Sequence, residues 1–376
     1  MSRSIDKDTA AALQKGDPDA AFCAIADVLT EELPVSSSLP RVHLEIEFLG
    51  HGHPPLPEGE YVLRDGNAVA IPKLALVQAF LVARKKLQKH RAVPLVPPVP
   101  MPTTDNSQNQ IIWRATAIIL LMDPEHLTAA NTRKRLIQTS LQQDHAVSVS
   151  SLLARELHFI DSLLTSHLHR HTKSPTLWSH RRWLLSFLAT PAVKESHENG
   201  NDRVLQGMTK VVMVAALRHP RNYYAWEHAR WLIHWQQANG QGGHESKLNL
   251  VVVVRDWCYR NHTDTSGWSF LFFLLASLPL PPSAASLSPL YDETVAQVEQ
   301  MATSLRWTGE AVWVFLRTAV AYRACARDDV GACSSFQDAA STLLAAVDAA
   351  SHEHQILQQA QKWCTTNATG QSPATT

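Results

Sequence analysis

The chain has 376 residues, 45% hydrophobic and 18% charged, with a formal net charge of zero. So low a charged fraction, against about 25% in ordinary globular domains, calls for a large interior or for an apolar surface reserved for a partner. The balanced charge and dispersed arginines exclude an electrostatic footprint for nucleic acid, and five scattered cysteines without a CxxC pair read as free thiols of a reducing compartment.

The N-terminal Met1-Ser-Arg-Ser and the polar stretch after it do not read as a secretory leader, so a cytoplasmic location is expected. The most apolar runs, 248–254 and 268–280, fall short of the about 18 residues that span a bilayer and read as buried helices instead. Residues 9–13 and 17–33 read as helical, with Asp17-Pro18 as a helix start. Val42, Leu44, Ile46 and Phe48 then alternate with Arg41, His43, Glu45 and Glu47, the period of a half-buried strand. Residues 61–71 are its expected partner across a Gly/Pro-rich loop, giving a small β-hairpin. Residues 72–91 form an amphipathic helix with Leu74, Leu76, Val77, Phe80, Leu81 and Leu87 on one stripe. Proline-rich 92–109 reads as a linker or an exposed loop, or as a cap on the first of the helices after it.

A repeated phrase then takes over. From Lys173 the chain reads Lys-Ser-Pro-Thr-Leu-Trp-Ser-His-Arg-Arg-Trp-Leu-Leu. Ser174 suits an N-cap and Pro175 the first helical position. The phrase recurs from His219, with Asn222 as N-cap and Trp226 as anchor, and again around Trp268 and Trp313. An upstream copy from Asp123 has Ala130 in the tryptophan's place. These anchors lie about 42 to 48 residues apart, a spacing that signals a helical-repeat solenoid. Five helix pairs are expected: 111–122 with 127–141, 148–170 with 175–189, 202–218 with 222–237, 245–260 with 265–277, and 288–305 with 309–327. The fold class is therefore an all-α superhelix of about five helical-hairpin repeats with a small N-terminal insertion. The domains read as 1–107 (N-terminal helices, insertion and linker), 108–330 (repeats), 331–364 (one Ala-rich capping helix) and 365–376 (a disordered tail).

A lone helical hairpin cannot bury its apolar face, so stacking must supply the core. Trp178, Trp226, Trp268 and Trp313 suit the space between adjacent pairs, each burial contributing about 2–3 kcal/mol. Arg181, three residues after its tryptophan, can bond the open carbonyls at a neighbouring helix end.

Asn-Tyr-x-x-Trp-x-His-Arg, repeated, resembles the protein prenyltransferase alpha-subunit family, in particular its repeat-containing branch. The resemblance covers roughly 108–325 and is most specific at 175–185 and 222–233. It implies a crescent-shaped subunit of a heterodimeric enzyme, geranylgeranyl more readily than farnesyl. No cofactor would belong to this chain; zinc and the isoprenoid pocket would lie in a beta subunit, of the Rab geranylgeranyltransferase type. The enzyme would take an isoprenoid diphosphate and a protein substrate with a C-terminal cysteine, such as that of a SNARE. The family's catalytic lysine stands five residues before a repeat tryptophan, which is Lys173 here. A lysine beside a helix N-terminus suits a leaving diphosphate; a solvated lysine in a turn is the plain alternative. Asn222, Tyr223, Tyr224, His180 and His228 are carried over as a substrate or beta-subunit surface, with packing as the other reading for the tyrosines.

The sequence also departs from the family. Pro175 replaces an aromatic residue, and the family arginine is Ala229, Leu271 and Leu316 in the last three repeats. These losses point to the rival reading, a non-catalytic helical scaffold that binds other proteins. His167, His169 and His171 lack a Cys or acidic companion at zinc spacing, so no metal site is expected in this chain.

Overall fold

The computed structural model describes residues 16–31, 42–50, 53–54, 56–92, 106–143, 146–188, 204–239, 244–278, 288–327 and 333–368. The expected helix 9–13 lies outside them, as do 93–105 of the linker and the tail beyond 368. The described chain is all-α with one small sheet, as its sequence predicts, and it divides into two compact units. The first comprises 1–198 and 209–219, the second 199–208 and 220–376.

In the first unit, α1 (Pro18–Leu29) starts as expected: Pro18 sits in the first turn, and the Asp17 carboxylate accepts from the backbone N–H of Asp19 and Ala20. Strands β1 (Glu45–Leu49), β2 (Leu63–Asp65) and β3 (Ala68–Pro72) follow. The expected hairpin between 41–49 and 61–71 is corrected here. Residues 61–71 fold back on themselves as β2 and β3, and β1 pairs with β3 in parallel, Ile46 opposite Val69. The reason is the Gly66-Asn67 turn: Gly66 has φ 59, where only glycine sits at no cost. Ile46, Val69 and Ile71 turn to the core. Helices α2 (Lys73–Ala92) and α1 pack with α3 (Asn106–Met122).

The repeats begin with α3 and α4 (Leu127–Gln143), then α5 (Ala146–Thr165), the short α6 (His169–Thr172) and α7 (Pro175–Leu188). The helix expected over 148–170 is broken at Ser166, whose hydroxyl bonds the Leu163 carbonyl and the Leu168 N–H and so diverts the ladder. The helix expected over 202–218 carries a π-helical turn, Gly207–Val212, before α8 (Met213–Arg218).

The second unit contains α9 (Tyr223–Ala238), α10 (His244–Arg260), α11 (Thr265–Ala276), α12 (Pro289–Ser304) and α13 (Glu310–Arg327). The single capping helix expected over 331–364 is instead a pair, α14 (Ser334–Leu344) and α15 (His352–Asn367). Ser351 opens the second of them as an N-cap, its hydroxyl accepting from the His354 N–H at 3.1 Å. Within each unit the second helix of one pair packs on the second helix of the next: α4 on α7, α9 on α11, α11 on α13, α13 on α15. That is the contact pattern of a helical repeat.

The anchors build these contacts. Ala130, Trp178, Trp226, Trp268 and Trp313 all stand in the first turn of a second helix, and all are buried. Trp226 meets Phe270 at 5.3 Å between ring centroids, Trp268 meets Phe315 at 4.9 Å, and Trp313 meets Phe336 at 5.5 Å. Phe270 and Phe315 stand two residues after their own tryptophans, so Trp226 and Trp268 are received by the next repeat at one fixed position, whereas Trp313 is received by Phe336 on α14. Three indoles also donate to the carbonyl six residues back: Trp178 to Thr172 (2.9 Å), Trp268 to His262 (2.9 Å), Trp313 to Trp307 (2.7 Å). Each of these bonds ties the turn between a pair's two helices to the second helix.

Candidate functional site

Lys173 lies on such a turn, between α6 and α7. The residues on either side of it are fixed. The Thr172 carbonyl accepts from Trp178. The Ser174 hydroxyl caps α7 by accepting from the Leu177 N–H at 3.1 Å and itself donates to the Pro124 carbonyl at 3.2 Å. One turn earlier, buried His171 donates from Nε2 to the Leu121 and Leu120 carbonyls at the end of α3, at 2.8 and 3.2 Å. Burial, opposed by those two carbonyls, lowers the His171 pKa to about 4, so the ring is neutral near pH 7. The backbone of Lys173 is thus held while its side chain is partly exposed, and among the described residues no carboxylate pairs with it.

The three histidines before Lys173 diverge. His167 Nδ1 lies 2.9 Å from Arg218 Nη1, the His169 ring lies 3.9 Å from that of His219, and His171 is spent on α3. Among the described residues no three His, Cys, Asp or Glu side chains gather as metal ligands.

The other carried-over residues separate by burial. His180, His228 and Asn222 are fully buried, which removes them from any surface and corrects their expected placement. His180 and His228 stand two residues after their tryptophans, where later repeats have Phe270 and Phe315, so they belong to the repeat core. Asn222 is an N-cap, its side chain accepting from the Ala225 N–H. Tyr223, by contrast, is 56% exposed and stacks on Tyr224 with ring centroids 4.0 Å apart. These two tyrosines remain a surface in the second unit.

A buried ionic network was hidden from the sequence. Arg181 donates from Nε to Asp161 on α5 at 2.7 Å. Arg133, at the same place in the first repeat, donates from Nε to Glu156 on α5 at 2.8 Å and from Nη1 to the Trp113 carbonyl at 2.7 Å. His180 Nε2 lies 3.2 Å from the same Glu156. Burial alone would raise the Glu156 pKa, but Arg133 and the bond from His180 outweigh it and hold the carboxyl at about 2. Aligning Arg133 with Arg181 was the available signal; nothing in the spacing named the acids.

Comparison with known proteins agrees with the repeat phrase. The family model of the protein prenyltransferase alpha subunit repeat matches residues 153–188, the span of α5 to α7 that includes Lys173. That of the ECM9 middle domain matches 177–280. Among curated proteins, the chain is 29% identical to protein prenyltransferase alpha subunit repeat-containing protein 1 of Danio rerio, over 49% of this chain and 41% of that protein. It is 28% identical to the Homo sapiens protein of the same name, over 43% and 39%. It is also 28% identical to protein ECM9 of Saccharomyces cerevisiae, over 44% and 40%. The match therefore spans less than half the length of each of these relatives.

Proposed function

We propose that this chain is the alpha-type subunit of a heterodimeric protein prenyltransferase, geranylgeranyl in preference to farnesyl, with Lys173 directed at the diphosphate of the isoprenoid. The observation that carries the reading is the Lys173 turn. Its backbone is fixed on both sides, its ammonium has no carboxylate partner among the described residues, and it stands five residues before a repeat tryptophan inside the matched repeat. Diphosphate departure builds negative charge on the bridging and terminal oxygens, and an ammonium carried on a held backbone stabilises that charge more than it stabilises the ground state.

In this reading the zinc that would activate the acceptor cysteine belongs to a beta subunit of the Rab geranylgeranyltransferase type. Tyr223 and Tyr224 are assigned to contact with that subunit or with the protein substrate.

One observation favours the rival reading of a non-catalytic scaffold. Pro175 is exposed where relatives of the prenyltransferase family have an aromatic residue, so that contact is missing. Co-expression with a beta subunit separates the two. A stable complex that transfers a geranylgeranyl group to a cysteine peptide supports the enzyme. A complex without transfer, or no complex, supports the scaffold.

A further inference from the structure

The last two helices carry a pair of thiols that face each other. Cys333 stands at the N-cap of α14, and Cys364 lies near the end of α15. Both are buried and both are free, and the Cys364 thiol donates to Cys333 Sγ at 3.8 Å. Neighbouring side chains hold the helices in this register. Gln361, one turn before Cys364, donates from Nε2 to the Gln337 carbonyl at 3.3 Å and to the Ser341 hydroxyl at 3.1 Å. Gln337, one turn after Cys333, donates from Nε2 to the Thr365 hydroxyl at 3.2 Å. The two sulfurs therefore have only to close from 3.8 Å to bonding distance while the helices stay in place.

The same two helices cover the fifth repeat. Phe336 of α14 receives Trp313 at 5.5 Å between ring centroids. The Arg317 guanidinium of α13 lies over the Trp363 ring of α15, 4.9 Å from its centroid. One grip on α13 thus comes three residues after Cys333, and the other comes one residue before Cys364. A link between the thiols would fasten both grips at the end of the stack, where a helical repeat has a neighbour on one side alone.

We propose that Cys333 and Cys364 are an oxidative modification site, where a peroxide joins them in a disulfide that clasps α14 to α15 over the fifth repeat and a dithiol reopens it. Cys333 is 7% exposed and Cys364 fully enclosed, so Cys333 is the sulfur that meets the oxidant. It attacks hydrogen peroxide, keeps one oxygen as a sulfenic acid and releases water. The Cys364 sulfur then attacks that of Cys333. The S–O bond breaks, the S–S bond forms, and the Cys364 proton leaves with the hydroxyl as a second water. Two electrons pass from the thiols to the peroxide, which is reduced to two waters. Burial, then the Cys333 sulfur beside it, push the Cys364 thiol up to about 12, which suits the resolving partner rather than the first target. The reading of Lys173 plays no part in this inference.

Peptide mapping of the full chain tests it. The protein is reduced with dithiothreitol, freed of it, treated with hydrogen peroxide and digested with trypsin without reductant. Cleavage after Arg323, Arg327 and Lys362 places Cys325 in 324–327, Cys333 in 328–362 and Cys364 in 363–376. Mass spectrometry should find 328–362 joined to 363–376, in the wild type and in C325S alike, and dithiothreitol should separate them. Oxidation should also slow hydrogen exchange in α14 and α15 about tenfold in the wild type and leave it unchanged in C333A. The wild-type map reads the link directly, so the test does not depend on how a variant folds. Peptide 324–327 in the link in place of either partner would overturn the proposal. So would a sulfinic or sulfonic acid at Cys333 without a link, a link that forms only in urea, or a link that leaves exchange unaltered.

Discussion

The Arg133–Glu156–His180 group shows what a single side chain decides in this protein. Both Arg133 and Glu156 are fully buried, and each satisfies the other. Removing one partner leaves the other charged and dry, so R133A and E156Q should each lower stability by about 3–5 kcal/mol in denaturant unfolding, while a purely apolar replacement of both should cost far less. Gly267 makes the opposite kind of demand. A Cβ there would lie 2.6 Å from Trp257 Cζ3 and 3.3 Å from Trp226 Cζ2, two buried rings that cannot yield. G267A should therefore destabilise by about 1–3 kcal/mol despite alanine's better helix propensity. None of this chemistry was legible residue by residue. The repeat phrase exposed the arginine and the tryptophan positions because they recur, whereas Glu156, Asp161 and Trp257 do not recur and carry no local signal.

At the level of the element, second helices were legible nearly to the residue, since each opens with a cap and an anchor. First helices were less so. The 148–170 and 202–218 helices have continuous apolar periodicity, and only the Ser166 hydroxyl bonds and the π-turn interrupt them. The sheet's pairing was not legible because strand alternation gives faces but not partners, and the Gly66-Asn67 turn sits inside what looks like one strand. The indole bond of Trp178 ties a repeat element directly to the candidate site. W178F keeps most of the apolar bulk but removes the indole N–H that donates to the Thr172 carbonyl. It should cost about 1–2 kcal/mol of stability, and should raise hydrogen exchange at the N–H groups of 172–174 more than elsewhere in α7. Equal exchange throughout α7 would show that the indole does not hold the turn.

For the whole molecule, the two units differ in what buries charge. In the first, the pKa values of His43, His171 and His180 are lowered, in each case chiefly by burial, and Glu156 is held at about 2. Histidines whose folded pKa lies below the unfolded value contribute stability that is full above about pH 6.5 and is lost as pH falls toward the folded value, about 4 for His171. Glu156 adds a second loss between about 4.5 and about 2. In the second unit burial raises the Glu299 pKa, so acidification relieves a cost there. Hydrogen exchange at about pH 5 should therefore rise first in 106–188, ahead of 265–327. The central claim concerns Lys173, and single-turnover geranylgeranyl transfer to a cysteine peptide by the complex with its beta subunit tests it most directly. The account predicts that K173A slows the transfer step about tenfold to a hundredfold, with peptide binding unchanged and partial recovery in K173R. Transfer by K173A at the wild-type rate would contradict it.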